Sequence, residues 1–277
     1  MTALMDAVRC DQPEAAAWLL EIGADAGFKT KKGKTALDFA KGDSWRRLFD
    51  EKAPVRSIDD ALALVRCMKE ERPKNRDYGY LEDLLVKWQN GAPLDDLKGE
   101  GHNVLSIAMD FEADKIVKFI LNRDVPKWML DESVPSACSP NMLDLLLARG
   151  ADINSRDTLG YATAMTVAAG NCDKRMIEHL LKKGADLNGP GRHGSTALSS
   201  CVPWKEQWIK ASDREKARWL DMFAFLLDRG ASPDWWLRSL RADTDKEREE
   251  VMRVYADFFA ILKERKVNLD AFWKKSA

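Results

Sequence analysis

The chain of 277 residues lacks the features that mark several large classes of protein. It has no run of 18 apolar residues, so we expect no membrane span. Lys and Arg total 44 against 45 Asp and Glu, and a formal net charge of −1 provides no global field that would attract nucleic acid or an anionic membrane. It also has no Gly/Ser tract, Pro-rich run or low-complexity segment that would act as a linker. We therefore expect neither a nucleic-acid nor a membrane partner.

Cysteine and histidine are also scarce. The five cysteines are scattered without a Cys-x-x-Cys pair, and we interpret them as small apolar residues of a reduced, cytoplasmic protein. The three histidines lack the i, i+4 spacing of a helical metal site. We predict no metal, no cofactor and no catalytic set. The first residues do not have the pattern of a signal peptide. However, the chain opens inside a repeat at Thr2, which leaves open an upstream targeting segment that has been removed.

A short sequence motif recurs after 33 residues: Thr2-Ala3-Leu4 reappears as Thr35-Ala36-Leu37. A second phrase, Leu-Leu-x-x-Gly-Ala-Asp, places its glycine 21 residues after the opening threonine, as in Thr163 and Gly184. A period in this range indicates stacked helical repeats. The threonine hydroxyl can cap the first helix, and the glycine suits the end of the second. The Asp-x-Asn that follows favours a tight turn.

These phrases resemble the ankyrin repeat, whose unit is a turn, two antiparallel helices and an outgoing loop. The clearest matches are Gly194-Ser195-Thr196-Ala197-Leu198 and Gly184-Ala185-Asp186-Leu187-Asn188, although the family's Pro and His are absent from every opening phrase. The resemblance implies an all-α solenoid of about eight stacked helix pairs, forming one domain over residues 1–277. The closing points of the pairs lie near Gly23, Lys52, Gly91, Asp124, Gly150, Gly184, Gly230 and Lys266.

The predicted repeats are irregular in length. Repeat two is shortened at residues 45–49 and repeat five near 135–140, whereas repeat three carries extra residues around 72–75. Repeat seven contains an insertion at about residues 203–214, and residues 235–277 form a charged C-terminal cap. We expect Trp18 and Trp88 to lie in the core. One of Trp235 and Trp236 should be exposed or half-exposed, because adjacent helical positions cannot both face the core fully.

In the ankyrin family, partners usually contact the loop tips, or fingers, and the concave face of the first helices. By register, the resemblance places the contact positions here at Lys31, Lys32, Lys34, Asp110, Phe111, Leu159, Asn171, Arg192, His193 and Trp204. Trp208 is added from the Trp-rich insertion, since Trp is enriched at interaction hot spots. Phe111 and Trp204 are apolar where exposure is expected, and we predict that both lie on the same concave side.

The sequence therefore predicts a non-enzymatic scaffold that holds one protein partner and is a monomer on its own. Degenerate ankyrin chains of this size resemble bacterial companion or immunity-type proteins that neutralise a toxin or effector. Two alternatives remain open. One is a secreted effector that engages a host protein, and the other is an enzyme or enzyme subunit with its site near the insertion in repeat seven.

Overall fold

The computed structural model describes residues 2–21, 24–40, 45, 55, 57–71, 79–99, 102–240 and 244–269. Within these ranges the regular structure is almost entirely helical, as predicted. The helices are α1 (Ala3–Arg9), α2 (Pro13–Glu21), α3 (Ile58–Glu71), α4 (Gly79–Gln89), α5 (Val104–Asp110), α6 (Asp114–Leu121), α7 (Lys127–Ser133), α8 (Pro140–Leu147), α9 (Ala164–Gly170), α10 (Lys174–Lys182), α11 (Ala197–Ser200), α12 (Lys205–Lys210), α13 (Asp213–Leu227), α14 (Asp234–Ser239), α15 (Asp245–Val254) and α16 (Ala256–Glu264). The strands β1 (Lys98–Gly99) and β2 (His102–Asn103) pair as a two-stranded sheet, and the described residues form no larger one.

The chain divides into two compact units. The first comprises Met1–Lys98 and Ile107–Pro126, and the second comprises Gly99–Ser106 and Lys127–Ala277. Helix α5 begins in the second unit and ends in the first. The expectation of one domain over residues 1–277 stays a prediction.

Short helix pairs recur in both units, and the first helices after Thr2 and Thr163 are capped as predicted. Thr196 precedes α11 but its hydroxyl has no hydrogen-bond partner among the described residues, and Thr35 is followed only by a 3-10 turn over Leu37–Phe39. The Thr2 hydroxyl accepts a hydrogen bond from Met5 N at 3.3 Å, and the Thr163 hydroxyl accepts one from Thr166 N at 3.2 Å. Asn103 occupies the same register position, and its side-chain oxygen accepts from the backbone of α5. Each bond satisfies a backbone N–H that has no partner inside its helix.

The turn between the two helices of a pair has a feature that the sequence did not reveal. Asp11, Glu112 and Cys172 have φ values of 56°, 55° and 54°, and each lies nine residues after its opening residue. This left-handed conformation costs a non-glycine residue roughly 1–2 kcal/mol. The recurrence at one offset shows that the turn is part of the repeat.

The closing glycines have the predicted conformation. Gly150 and Gly184 have φ values of 87° and 89°, and Gly230 has 89°. Lys266 replaces glycine in the last repeat and still adopts a φ of 56°. The other substituted closing position, Asp124, is not among the residues with positive φ. The closing positions near residues 23 and 52 lie outside the described residues.

The loops that follow these glycines are bonded to one another in the second unit. Asp186 N donates to Asn154 Oδ1 at 2.8 Å, and Asn188 N donates to Asp186 Oδ1 at 2.9 Å. Ser232 N donates in turn to Asn188 Oδ1 at 2.7 Å, while Asn188 Nδ2 donates to the Gly230 carbonyl. The Asp side chain therefore closes its own turn, and the Asn side chain holds the loop of the next repeat.

In the first unit, α1 and α2 pack around buried apolar residues. Ala16 and Leu20 point into this cluster. Trp18 is 59% exposed, so its predicted core position is wrong. The reason is helical geometry, because a residue two positions from Ala16 and Leu20 lies on the opposite face. Trp88 is half-buried, with its ring centroid 5.6 Å from that of Phe119.

The second unit has an aromatic core at its C-terminal end. Trp236 is buried and its ring contacts Phe223 and Phe258, whereas Trp235 is only half-buried. The expectation that one of this tryptophan pair is exposed or half-exposed is therefore confirmed, because Trp235 keeps part of its surface in solvent. The predicted insertion forms α12, and its Trp208 ring lies 4.9 Å from Phe258.

We predict that Gly184→Val lowers the free energy of unfolding by roughly 1–2 kcal/mol, since valine disfavours positive φ. A Cβ at Gly184 would meet nothing within 4 Å, so the cost comes from the backbone alone. Urea unfolding measures the change. Gly184→Asn is the matched control and should cost less, because Asn tolerates this conformation. Equal stability of the Val variant and the parent would contradict the assignment.

We predict that Asn188→Ala destabilises the second unit by about 0.5–1.5 kcal/mol, the usual net worth of a hydrogen bond. The change removes the acceptor of Ser232 N and the donor to Gly230 O. Asn141→Ala is the control, because this exposed side chain of α8 takes no part in the loop bonds. A loss of stability no larger than the control's would mean that the loop bonds do not hold the repeats.

Candidate protein-binding surface

A tight turn in the first unit presents three of the predicted contact residues. Lys31, Lys32 and Lys34 are exposed. Thr30 N donates to the Lys34 carbonyl at 2.9 Å, and Gly33, with φ of 75°, donates back to the Thr30 carbonyl. The lysines therefore lie at the tip of a short hydrogen-bonded finger.

Asp38 stands at the base of this finger. The backbone N–H and the hydroxyl of Thr35 bond its carboxylate at 2.6 and 2.9 Å. These bonds, with smaller contributions from Lys34 and Lys29, hold the pKa of Asp38 below its usual range. Its charge is thus fixed at the base, and the lysine charges remain at the tip.

Asp110 and Phe111 lie where α5 ends. Asp110 is exposed and Phe111 is half-buried. Glu112, in the left-handed conformation, then turns the chain into α6. Phe111 and Trp204 belong to different units, so their placement on one side stays a prediction.

In the second unit, Leu159 lies at the tip of a finger and is 53% exposed. Tyr161 beside it is also exposed. Gly160 N donates to the Asp157 carbonyl at 2.7 Å, which closes the turn. The Arg156 guanidinium donates to the Pro190 carbonyl at 2.9 Å and so ties this finger to the next.

That next finger contains Arg192 and His193, which form a 3-10 turn with Gly194. His193 is exposed and has φ of 60°. Its carbonyl accepts a hydrogen bond from Trp235 Nε1 at 2.9 Å. The finger is thereby attached to the start of α14.

Asn171 is exposed at the end of α9, and its carbonyl accepts a hydrogen bond from the Arg218 guanidinium of α13. This bond spans the first helix of one repeat and the second helix of the next. The backbone of Asn171 is thus bonded to α13, while the residue stays exposed.

The two tryptophans of the insertion have opposite environments. Trp204 is 81% exposed, whereas Trp208 is 6% exposed and packs against Trp219 and Phe258. The prediction of Trp208 as a contact residue is therefore wrong. Trp204 precedes α12 with an extended backbone, so its side chain does not follow the inward face of that helix.

Trp204 lies at a cleft of about 290 Å³ in the second unit. Buried Trp236 and Tyr255 contribute to its lining, and the Tyr255 hydroxyl donates to the Pro203 carbonyl at 3.3 Å. The full lining is Ser199, Val202, Pro203, Trp204, Lys205, Glu206, Trp235, Trp236, Ser239, Leu240 and Tyr255. The cleft thus brings together aromatic faces, a few aliphatic groups and two charged side chains.

The two charged side chains of the lining differ in their partners. Lys205 pairs with Glu250 of α15. The Lys205 ammonium, with smaller contributions from Arg253 and Lys246, holds the pKa of Glu250 below its usual range. Burial, and secondly the Glu206 carboxylate, raises the pKa of Tyr255. The negative charge of Glu206 therefore disfavours ionisation of the Tyr255 hydroxyl.

Sequence reasoning found Trp204 but missed the rest of this cleft. Trp235 was noticed only as half of a Trp-Trp pair, and Glu206 and Tyr255 carried no signal. Glu206 lies in α12 and Tyr255 lies between α15 and α16, so only the packing of the last two repeats brings the two residues together. The adjacent Trp235-Trp236 was the one available hint.

Within the ranges that the structure describes, we looked for groups of metal-ligating side chains and for membrane-spanning helices. There, no three or more His, Cys, Asp or Glu side chains are grouped so as to hold a metal ion. The same ranges contain no helix with the length and apolar character needed to cross a bilayer.

No family model matches the chain, and no curated protein matches it. Among solved structures it is similar to the ankyrin repeat domain of Bcl-3, a member of the IkappaB protein family, with 20% identity and a TM-score of 0.37 over 84% of this chain and 88% of that one. It is also similar to the human ASB11 ankyrin repeat domain, with 18% identity and a TM-score of 0.37 over 84% of this chain and 100% of that one. The caps at Thr2 and Thr163, the closing glycines and the loop bonds are the features that stacked helix-pair repeats require.

The two tryptophans of the insertion should respond oppositely to truncation. Trp208→Ala should lower the free energy of unfolding by about 3–5 kcal/mol, because it empties an aromatic core position. Trp204→Ala should change it by no more than about 0.5 kcal/mol, as exposed positions do. Urea unfolding of both variants measures the difference. Similar losses in the two variants would contradict the assigned environments.

Proposed function

We propose that this chain is a non-enzymatic scaffold that holds one protein partner, with the surface around Trp204 as the centre of the contact. The supporting observation is an almost fully exposed tryptophan beside an aromatic cleft. Exposed indole surface in water is unfavourable, and tryptophan is among the residues most enriched at interaction hot spots. A partner that covers Trp204 would remove this indole surface from water, which favours binding.

The surrounding surface of the second unit supplies the remainder of the proposed contact. Leu159, Asn171 and His193 are exposed on its fingers and first helices. The turn that carries His193 is bonded to Trp235 of the cleft wall. Bonds between successive fingers hold these positions in place, so little order has to be gained on binding. In the first unit we propose that the partner also contacts Lys31, Lys32, Lys34, Asp110 and Phe111.

In its finer form the proposal is a companion or immunity-type protein that neutralises a toxin or effector. The support for this form is the resemblance of degenerate repeat chains to such companions. It requires a stoichiometric complex in which the partner loses its activity. A tagged pull-down from the source organism, with mass spectrometry, identifies the partner, and an activity assay of the purified complex follows. A partner that stays fully active in the complex would overturn the neutralising role, and capture only from a host lysate would favour the effector alternative.

The enzyme alternative needs a gentler test than removal of the insertion. Deleting residues 203–214 would take Trp208 out of the core, so lost turnover would report unfolding. Glu206→Gln and Trp204→Ala keep the packing and alter only exposed groups. Turnover that is present in the parent and abolished in either variant would support a catalytic role at the cleft.

We predict that Trp204→Ala weakens binding of the identified partner by about 2 kcal/mol or more, as loss of a central anchor does. That corresponds to roughly 30-fold in Kd. Calorimetry with purified partner measures it. Trp18→Ala is the matched control, because it removes another exposed tryptophan from outside the cleft. Lys34→Ala should act mainly on the association rate, as rim charges do.

The control defines what would contradict the proposal. An unchanged Kd in Trp204→Ala, with circular dichroism unaltered, would move the contact away from the cleft. Equal losses in Trp18→Ala and Trp204→Ala would remove the special role of this tryptophan.

A further inference from the structure

The cleft beside Trp204 is small. Its volume of about 290 Å³ lies at the lower limit of the roughly 300–1,000 Å³ typical of small-molecule sites. A cleft of this size accommodates one or two side chains of a protein partner. Its aromatic lining includes Trp204 at high exposure and Trp235 at intermediate exposure, so their ring surfaces are partly open to an incoming group.

The charged side chains that line the cleft determine the sign of charge that it favours in a ligand. Lys205 and Glu206 are the charged members of the lining, and Lys205 is already paired with Glu250. Within the described part of the chain, Glu206 takes part in no ion pair. It is exposed on the first turn of α12, two residues after Trp204. The unpaired charge among the lining residues is therefore negative, and it belongs to the same cleft as the aromatic rings.

We propose that this cleft binds a cationic side chain of the protein partner, with arginine as the preferred residue. The proposal rests on the protein-binding function proposed above and names the chemistry of its central contact. A cation over an indole face is attracted by the ring quadrupole. Glu206 supplies an opposite charge in the same cleft. The aliphatic part of the side chain would lie against Val202 and Leu240, which also line the cleft.

Arginine fits these groups better than lysine does. Its planar guanidinium stacks on an aromatic face and at the same time directs N–H donors to a carboxylate in its plane. A lysine ammonium is a more strongly hydrated point charge and loses more on leaving water. An entirely apolar occupant would desolvate Glu206 without giving it a partner, and an acidic occupant would be repelled by it.

The test uses capped pentapeptides, Gly-Gly-X-Gly-Gly, with X as arginine, citrulline, lysine or glutamate. Citrulline has nearly the shape of arginine but no charge. Titration into the full chain is followed by the indole N–H signals of Trp204 and Trp235 in nitrogen-15 NMR spectra. We expect saturable shifts of both signals with the arginine peptide. Its affinity should exceed that of the citrulline peptide by about five-fold or more, with lysine between them.

Glu206→Gln should lower the affinity for the arginine peptide by about five-fold and leave that for the citrulline peptide unchanged. Glu249→Gln is the control, since this exposed carboxylate of α15 does not line the cleft. It should alter neither affinity. This comparison separates the local role of Glu206 from a general change in net charge.

Equal affinities for arginine and citrulline, or tighter binding of the glutamate peptide, would overturn the proposal. The glutamate result would show that Lys205, Lys246 and Arg253 set the sign of the cleft. The outcome is separable from the proposed function. If the peptides show no preference for arginine while Trp204→Ala still weakens the protein partner, only the cationic preference fails. If they show the preference while the partner is unaffected, the cleft binds arginine, but the contact with the protein partner proposed above fails.

Discussion

The hydrogen bonds that join successive loops are the constraint on which the second unit depends. Asn154 and Asn188 each use a side-chain oxygen to hold the backbone N–H of the following loop. These bonds form only if each second helix ends in the same way, which the left-handed conformation of Gly150 and Gly184 secures. The helices between the loops can then vary in length without changing how one loop meets the next. The irregular seventh repeat is an example of this freedom.

The candidate site follows from that irregularity. The loop after Gly230 still bonds to Asn188, although α12 has been added between α11 and α13. Trp208 anchors the added helix in the aromatic core, and Trp204, just before the helix, is left in solvent. A scaffold that is rigid beneath an exposed aromatic residue suits recognition, because few side chains have to be ordered when a partner binds.

The sequence predicted the elements that depend on local chemistry. The caps at Thr2 and Thr163, the left-handed closing glycines and the helical class all follow from residues close together in the chain. It failed where tertiary packing decides. Trp204 and Trp208 are four residues apart and both lie in the insertion, yet the start of α12 at Lys205 separates their environments. Trp18 precedes Leu19 and Leu20 on a second helix, which favours a core position, whereas the helix turns Ala16 and Leu20 into the core and leaves Trp18 in solvent. The cleft is lined by residues from separate repeats, so no short sequence motif predicts it.

Oxidative labelling of tryptophan, read by mass spectrometry with and without the partner, tests the central claim most directly. The claim is that a bonded repeat scaffold holds one exposed tryptophan ready for a protein partner. In the free protein we expect rapid modification of Trp204 and protection of Trp208 and Trp236. In the complex, Trp204 should become protected. Labelling of Trp208 as fast as Trp204, or labelling of Trp204 that the partner leaves unchanged, would contradict the account.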